Sequence, residues 1–132
     1  MFLLLSAYLF VIFVIHEKKE KSIDELPTSL HSMPSLIVNL SGTMGKRYLK
    51  LALVIEYKSR TPEITEKLFK TQSVFINDTL IMLLSSKTIG AIDGYAKKEL
   101  LKEEIRQKLQ KILFSDNKGK VTNIYYKSFL IQ

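Results

Sequence analysis

The first fifteen residues of the chain carry no charged side chain, and the strongly charged stretch HEKKEK follows at once. A run as apolar as MFLLLSAYLFVIFVI is unfavourable in water, because keeping apolar surface exposed to water costs free energy. Three interpretations are open: a secretory signal, a membrane anchor, or a helix buried in a protein core. Each of them restricts where the rest of the chain resides.

A secretory signal and a buried helix both fit this segment poorly. A signal has a basic region before its apolar stretch and a small-residue cleavage site after it, but the second residue is Phe2 and no Ala-x-Ala pattern follows. A buried helix usually shows a polar stripe, which only Ser6 and Tyr8 could supply. We therefore predict a membrane anchor over residues 1–15. The apolar residues expected to face lipid are Phe2, Leu3, Leu4, Leu5, Leu9, Phe10, Val11, Ile12, Phe13, Val14 and Ile15.

The predicted anchor is short for a membrane span. About 20 apolar residues are needed to cross about 30 Å of hydrocarbon, whereas fifteen residues at about 1.5 Å each cover only about 22 Å. The shortfall predicts either a locally thinned bilayer or a helix that begins upstream of this sequence. Lys18, Lys19 and Lys21 follow the segment, and the positive-inside rule alone would place the folded domain in the cytoplasm.

The remainder of the chain has the composition of one small folded domain. The sequence is 46% hydrophobic and 25% charged, which lies outside the range typical of disorder. The absence of Cys excludes a disulfide framework and a thiolate metal site. The net charge of +7 favours anionic partners such as lipid headgroups or nucleic acid, but the Lys residues are scattered among acids. General solubility explains that scatter better than a binding patch does.

Residues 16–35 are expected to form a polar tether. They are charged at first and then rich in Ser and Thr, and Pro27 and Pro34 oppose a long helix. His16 and His31 both lie in this segment without further metal ligands beside them. We expect both histidines to be solvated.

Residues 36–132 predict an α+β domain with the element order β-β-α-α-β. Residues 36–40 and 47–57 fit an antiparallel hairpin, and the second of these strands alternates between a wholly apolar face and a mixed one. A turn follows later in which Gly119 is expected to adopt a positive φ. The β-branched and aromatic residues 121–131 then predict a last strand. We expect it to lie in the interior of the sheet, because an exposed apolar edge would invite aggregation.

Two helices are expected between the hairpin and the last strand. Thr61 and Pro62 suit the N-cap and the first helical position of one helix, and helical spacing of apolar residues then continues to about Ser85. A second helix is expected over residues 93–114, with one apolar stripe and a charged opposite face.

The sequence offers no pattern typical of catalysis. It has no clustered His, no GxGxxG phosphate loop and no serine in a nucleophile elbow, so we predict no catalytic residue, no metal site and no cofactor. Asp78 lies in the apolar stretch VFINDTLIM. A buried carboxylate without a partner is costly, so Asp78 is expected either on the exposed side of its helix or paired with a cation.

Nucleic-acid binding is also not predicted. A stacking platform presents its aromatic side chains on one exposed face of a sheet. Alternation along the last strand instead sends Tyr125 and Phe129 to one side and Tyr126 to the other. This is the pattern of a strand packed on both sides.

Five segments together resemble the family of flagellar basal-body-associated FliL proteins. They are MPSLIVNLSG, GKRYLKLALVIEY, INDTLIMLLSSKT, LLKEEIRQKL and the terminal VTNIYYKSFLIQ, and their order and spacing match from Met33 to Gln132. Two departures stand out: Asn77 occupies a place where the family usually has Arg, and the short cytoplasmic segment that precedes the family's anchor is missing. The second departure suggests that the N-terminus is truncated. The family-motif positions expected to matter for structure or contacts are Asn39, Tyr48, Lys50, Asp78, Lys87, Thr88, Lys102, Glu104, Phe129 and Gln132.

The resemblance implies a single-pass inner-membrane protein with a periplasmic domain similar to the stomatin/prohibitin type over residues 36–132. It further implies a homo-oligomeric ring that is associated with the stator membrane proteins of the flagellar motor and supports rotation, motility, swarming and chemotaxis. This would be a scaffold function without catalysis, and its periplasmic placement would reverse the orientation that the flanking charges favour. The alternative is a membrane-tethered adaptor that binds anionic lipid or another membrane protein and has no flagellar role. A small exported enzyme or nucleic-acid binder is a third interpretation.

Overall fold

The computed structural model describes residues 2–15 and 20–132. It contains helices and an antiparallel sheet, so the expected α+β class is confirmed. A single 3-10 turn at Ile23–Glu25 precedes the first strand. The helices and strands are, in chain order, α1 (Phe2–Ile15), β1 (Thr28–Ser32), β2 (Leu36–Asn39), β3 (Tyr48–Ser59), α2 (Pro62–Thr71), α3 (Ser73–Ser85), α4 (Ile89–Ile92), α5 (Tyr95–Leu113) and β4 (Gly119–Ile131).

Strand β3 is the centre of the four-stranded sheet. On one side it pairs with β1 through its second half and with β2 through its first half, and on the other side it pairs with β4 along its whole length. All of these pairings are antiparallel, which confirms the hairpin expected between β2 and β3. The expectation of an interior last strand is wrong, because β4 pairs only with β3 among the described residues. The register shifts at Ala52/Leu53 and Glu56/Tyr57 are bulges, a common means of protecting an edge strand from further pairing.

One face of the sheet is buried beneath the helices. Alternation along β3 directs Leu49, Leu51, Leu53, Ile55 and Tyr57 to this face, where each is at most 3% exposed. A period of two is what a strand with one covered face requires. Helices α2, α3 and α5 close the core from above with buried residues at helical spacing: Phe69, Ile76, Leu80, Leu84, Leu101, Ile105, Leu109 and Leu113.

The helical region is more divided than the sequence suggests. The single helix expected over residues 61–85 is two helices, α2 and α3, separated at Gln72, and the short α4 precedes α5. Pro62 does begin its helix, but the Thr61 side chain makes no capping hydrogen bond. Instead the Ser59 hydroxyl accepts hydrogen bonds from the Thr61 amide and the Thr65 hydroxyl, at 3.0 and 2.8 Å. The element order β-β-α-α-β is therefore wrong in detail.

The segment expected to be a tether contains regular structure in its described part. Its residues Thr28–Ser32 form β1 and pair with β3. The preceding residues are also held to the sheet, because the Lys58 ammonium donates to the Asp24 carbonyl at 2.6 Å and Arg60 Nη1 donates to the Lys21 carbonyl at 2.8 Å. The start of this segment, with His16, lies outside the described residues.

Helix α1 contains 14 residues, and the side chains of residues 2–14 are exposed. In the described part of the chain, no helix combines the length and the hydropathy that crossing a membrane requires.

Gly119 is required for space and not for its backbone angle. The described glycines with positive φ are Gly42, Gly45 and Gly94, so the expectation for Gly119 is wrong. A Cβ atom added at Gly119 would instead collide with the buried ring of Phe114. The ring closes the end of the core where α5 passes into β4.

We predict that Gly119→Ala lowers the free energy of unfolding by about 1–3 kcal/mol, the usual cost of overpacking. Urea unfolding of the full chain in detergent micelles measures this. The control is the same substitution in a Phe114→Leu background, where the smaller side chain should remove most of the cost. An equal loss in both backgrounds would contradict the steric explanation.

Candidate functional site

Three family-motif positions from distant segments form one row at the end of the sheet where β3 begins. The Tyr48 amide donates to the Gln132 carbonyl at 2.8 Å, and the Gln132 amide donates back to the Tyr48 carbonyl at 2.9 Å. On the other side of β3, Tyr48 is the register partner of Asn39. We call this region the motif end. It comprises Asn39, Tyr48, Lys87, Thr88, Lys102, Glu104, Phe129 and Gln132.

An ion pair joins two further motif positions at this end. The Lys87 ammonium lies 2.8 and 3.0 Å from the two carboxylate oxygens of Glu104, which places the segment after α3 against α5. The Lys87 carbonyl accepts the Ser41 amide at 2.9 Å, so the same residue also holds the β2–β3 turn. Thr88 follows in an extended conformation and begins α4. Lys87 thus connects three segments that are far apart in the sequence.

Two lysines of α5 lie over the rings of Tyr126 and Phe129 in β4. The expectation that these two rings point to opposite sides of the strand is wrong, because the register shift at Ala52/Leu53 brings both to the covered face. Lys98 Nζ lies 4.7 Å from the centre of the Phe129 ring, and Lys102 Nζ lies 5.2 Å from that of Tyr126. Both distances fall within the range in which a cation is attracted to an aromatic face. The Tyr126 hydroxyl donates to the Lys98 carbonyl at 2.7 Å. Burial, and secondarily the charge of Glu99, raise the pKa of Tyr126, so this hydroxyl stays a hydrogen-bond donor.

An open depression of about 250 Å³ lies beside Phe129 of the motif end and is lined by Arg47, Ile89, Asp93, Lys98, Phe129 and Ile131. A cofactor site is usually a deep, mostly apolar cleft, which this open depression is not. Within residues 2–15 and 20–132, no three His, Cys, Asp or Glu side chains are grouped closely enough to hold a metal ion.

The remaining two family-motif positions, Asp78 and Lys50, are exposed on opposite layers of the fold. Asp78 is exposed on α3, beside Met82 and Lys108, so the first of the two alternatives for Asp78 is confirmed. Lys50 is exposed on the face of the sheet opposite to the helices. Lys50 lies two residues along β3 from Tyr48, on the same face of the sheet, so Asp78 is the motif position that the fold places apart from the others.

Sequence reasoning missed a second polar cluster, between β1, β3 and α2. The ring of His31 stacks on that of Phe69 with 3.7 Å between centroids and 5° between planes. The carboxylate of Glu66 lies 2.8 Å from His31 Nδ1 and accepts the Tyr57 hydroxyl at 2.6 Å. His31 is 21% exposed, so the expectation of a solvated histidine is wrong. Alternation places His31 on the covered face of β1, where α2 lies above it.

The cluster shifts the pKa of two of its members. Partial burial opposes ionisation of Glu66, but hydrogen bonds from Tyr57 and His31, aided by electrostatic attraction to His31 and Lys70, outweigh it and lower the Glu66 pKa. Burial first, and then the bond to Glu66, raise the pKa of Tyr57. No local sequence pattern could reveal this cluster, because its members are brought together only by the pairing of β1 with β3 and the packing of α2.

We predict that Glu66→Gln destabilises the protein by about 1 kcal/mol at pH 7, a value reduced for the 46% exposure of this side chain. The pKa of Glu66 is lower in the folded state than in the unfolded state. The contribution of this carboxylate to the free energy of unfolding is therefore fully present above its pKa in the unfolded state, and it is lost as the pH falls through its pKa in the folded state. The difference between wild type and variant should therefore shrink below about pH 4.5. Urea unfolding across this pH range measures it, with Glu63→Gln on the same helix as the control. A difference that grows on acidification would contradict this.

We predict that Lys87→Met costs about 0.5–1 kcal/mol of unfolding free energy and costs much less in a Glu104→Gln background. The reason is that the ion pair between Lys87 and Glu104 is already broken in the Glu104→Gln background, so removing the ammonium there loses no further charge pairing. A double-mutant cycle by urea unfolding measures the coupling. The pair Arg106–Glu103, which lies within α5 at 2.7 Å, is the control for a purely local ion pair. Additive losses at Lys87 and Glu104 would show that the pair does not connect α3 to α5.

Comparison with known proteins agrees with the motif resemblance. Residues 30–132 match the family described as flagellar basal body-associated protein FliL. The chain is 31% identical over 130 residues to Flagellar protein FliL of Bacillus subtilis (strain 168). This alignment covers 96% of this chain and 86% of the Bacillus protein. It is 30% identical over 99 residues to Flagellar protein FliL of Aquifex aeolicus (strain VF5). This second alignment covers 75% of this chain and 58% of the Aquifex protein. The chain belongs to the FliL family of flagellar basal-body-associated proteins.

Proposed function

We propose that this protein is a membrane-anchored accessory component of the flagellar motor. Its folded domain lies in the periplasm, associates with further copies of itself beside the stator proteins, and supports rotation, motility and swarming. The observation that carries the proposal is the FliL family match over residues 30–132, which contain all four strands except the first two residues of β1. The open depression beside the motif end is consistent with a role in contacts between proteins.

The proposed anchor is α1. Phe2, Leu3 and Phe13 are each more than 70% exposed, and every side chain of residues 2–14 is exposed. A helix of mostly apolar side chains is stabilised by transfer into lipid, at about 25 cal/mol for each Å² of apolar surface removed from water. The division into an anchor over 1–15 and a folded periplasmic domain is part of the same proposal.

The folded domain is held close to the anchor. The carbonyl groups of Lys21 and Asp24 accept hydrogen bonds from Arg60 and Lys58 of the sheet region, so the chain is held to the sheet from Lys21 onwards. Five peptide units separate Ile15 from Glu20, and they reach at most about 18 Å. Anchored copies are thereby confined to a thin layer above the membrane. This confinement raises their effective concentration, so weak lateral contacts suffice for association.

The first test is complementation of a strain that lacks the gene. We expect deletion to slow swimming and reduce swarming, and the full chain to restore both. A variant with Leu9→Arg and Phe13→Arg should leave the membrane fraction and fail to restore motility, since each Arg costs about 2.5–3.5 kcal/mol at the centre of a span. The matched control is Leu9→Ile with Phe13→Leu.

Three results would count against the proposal. Normal swimming and swarming in the deletion strain would remove the flagellar role and favour a lipid-binding adaptor. Full activity of the double-Arg variant in the soluble fraction would remove the anchor. A C-terminal reporter that is active only in the cytoplasm would reverse the proposed orientation.

A further inference from the structure

Two motif positions, Asp78 and Lys50, each have exposed apolar side chains beside them. Asp78 and Lys50 are both exposed, and neither forms an ion pair within the described residues. They carry opposite charges and lie on different layers of the fold. Charged groups surrounded by exposed apolar side chains are typical of a contact surface, in which the charge selects the partner.

The first surface is the outward side of α3. Its inward side is formed by Ile76, Leu80 and Leu84, which are at most 1% exposed. The outward side also carries several large apolar side chains, and exposed apolar surface of this kind often marks a site of contact with another surface. The α3 surface consists of Val74, Phe75, Ile81 and Met82, which are 73, 63, 41 and 66% exposed, around Asp78.

The second surface is the face of the sheet that no helix covers in the described part of the chain. Lys50 lies between Ile37 on β2 and Leu130 on β4, in a single row across three strands. Ile37 is 61% exposed and Leu130 is 47% exposed. With Leu30 and Tyr125, which are also exposed, these residues form the open sheet surface. A sheet that buries only one face can accept a helix on the other.

We infer that the α3 surface of one copy packs on the open sheet surface of the next copy, with the Asp78 carboxylate paired to the Lys50 ammonium. The inference rests on the proposed self-association and names the surfaces that would carry it. Each copy has one surface of each kind, so the contact is head-to-tail. Such contacts continue from copy to copy and close into a ring if the rotation permits.

Charge complementarity selects a second copy in this arrangement. Asp78 is the only charged residue of α3, whereas Lys50 and Lys58 lie on the open sheet surface. Glu56 lies on the same face, but its carboxylate already accepts the hydroxyls of Thr122 and Tyr125, at 2.9 and 3.4 Å. Packing α3 on α3 would oppose two carboxylates, and packing sheet on sheet would oppose two ammonium groups. The helix-on-sheet contact instead opposes the Asp78 carboxylate to the Lys50 ammonium.

The test exchanges the two charges. Full-length D78K and K50E chains are purified in detergent micelles, and their association is measured by sedimentation velocity over a range of concentrations. We expect each variant alone to associate at least about tenfold more weakly than wild type, because its contact now opposes like charges. An equimolar mixture of the two variants should associate like wild type, since both of its mixed contacts again join a Lys to an acid. A single chain carrying D78K and K50E should do the same.

The controls are K97D and D116K, which reverse exposed charges outside both surfaces and should associate like wild type. Recovery in the mixture excludes misfolding as the cause of the single-variant losses. Association that is unaffected by D78K and K50E would overturn the inferred surfaces and leave self-association standing. A wild-type chain that stays monomeric at every concentration would overturn both.

Discussion

Strand β3 uses both of its edges, and the rest of the structure depends on that pairing. Its amide and carbonyl groups bond to β1 and β2 on one side and to β4 on the other, so a twelve-residue strand is held along its full length. The alternation of its side chains then fixes which face becomes the core. The apolar side chains at alternate positions from Leu49 to Tyr57 point to one face of the sheet, and α2, α3 and α5 pack on that face. The opposite face is left for other contacts.

The same strand explains why the family motifs converge. β3 begins at Tyr48, where the end of β2 and the terminus of β4 meet it. The ion pair between Lys87 and Glu104 and the lysines over Tyr126 and Phe129 hold α5 and the segment after α3 to this end. These contacts fix the positions of α5 and of the segment after α3 relative to the sheet.

Local pattern predicts the strands well and the tertiary relations poorly. The alternation in residues 47–57 and the hairpin that precedes it follow from the sequence alone, because they depend on neighbouring residues. The strand β1 does not, because TSLHS carries no strong pattern and is stabilised by its pairing with β3. The edge position of β4 and the cluster of His31, Glu66 and Tyr57 likewise depend on which distant segments meet. At Gly119 the sequence shows the glycine but not the Phe114 ring that requires it.

The central claim is that anchored copies of this chain gather at the flagellar motor. Fluorescence counting of a full-length fusion, expressed from its own gene in living cells, tests that claim most directly. We expect foci that coincide with flagellar bases, each losing its signal in several photobleaching steps. Fluorescence spread evenly over the envelope, or foci that bleach in one step, would contradict it.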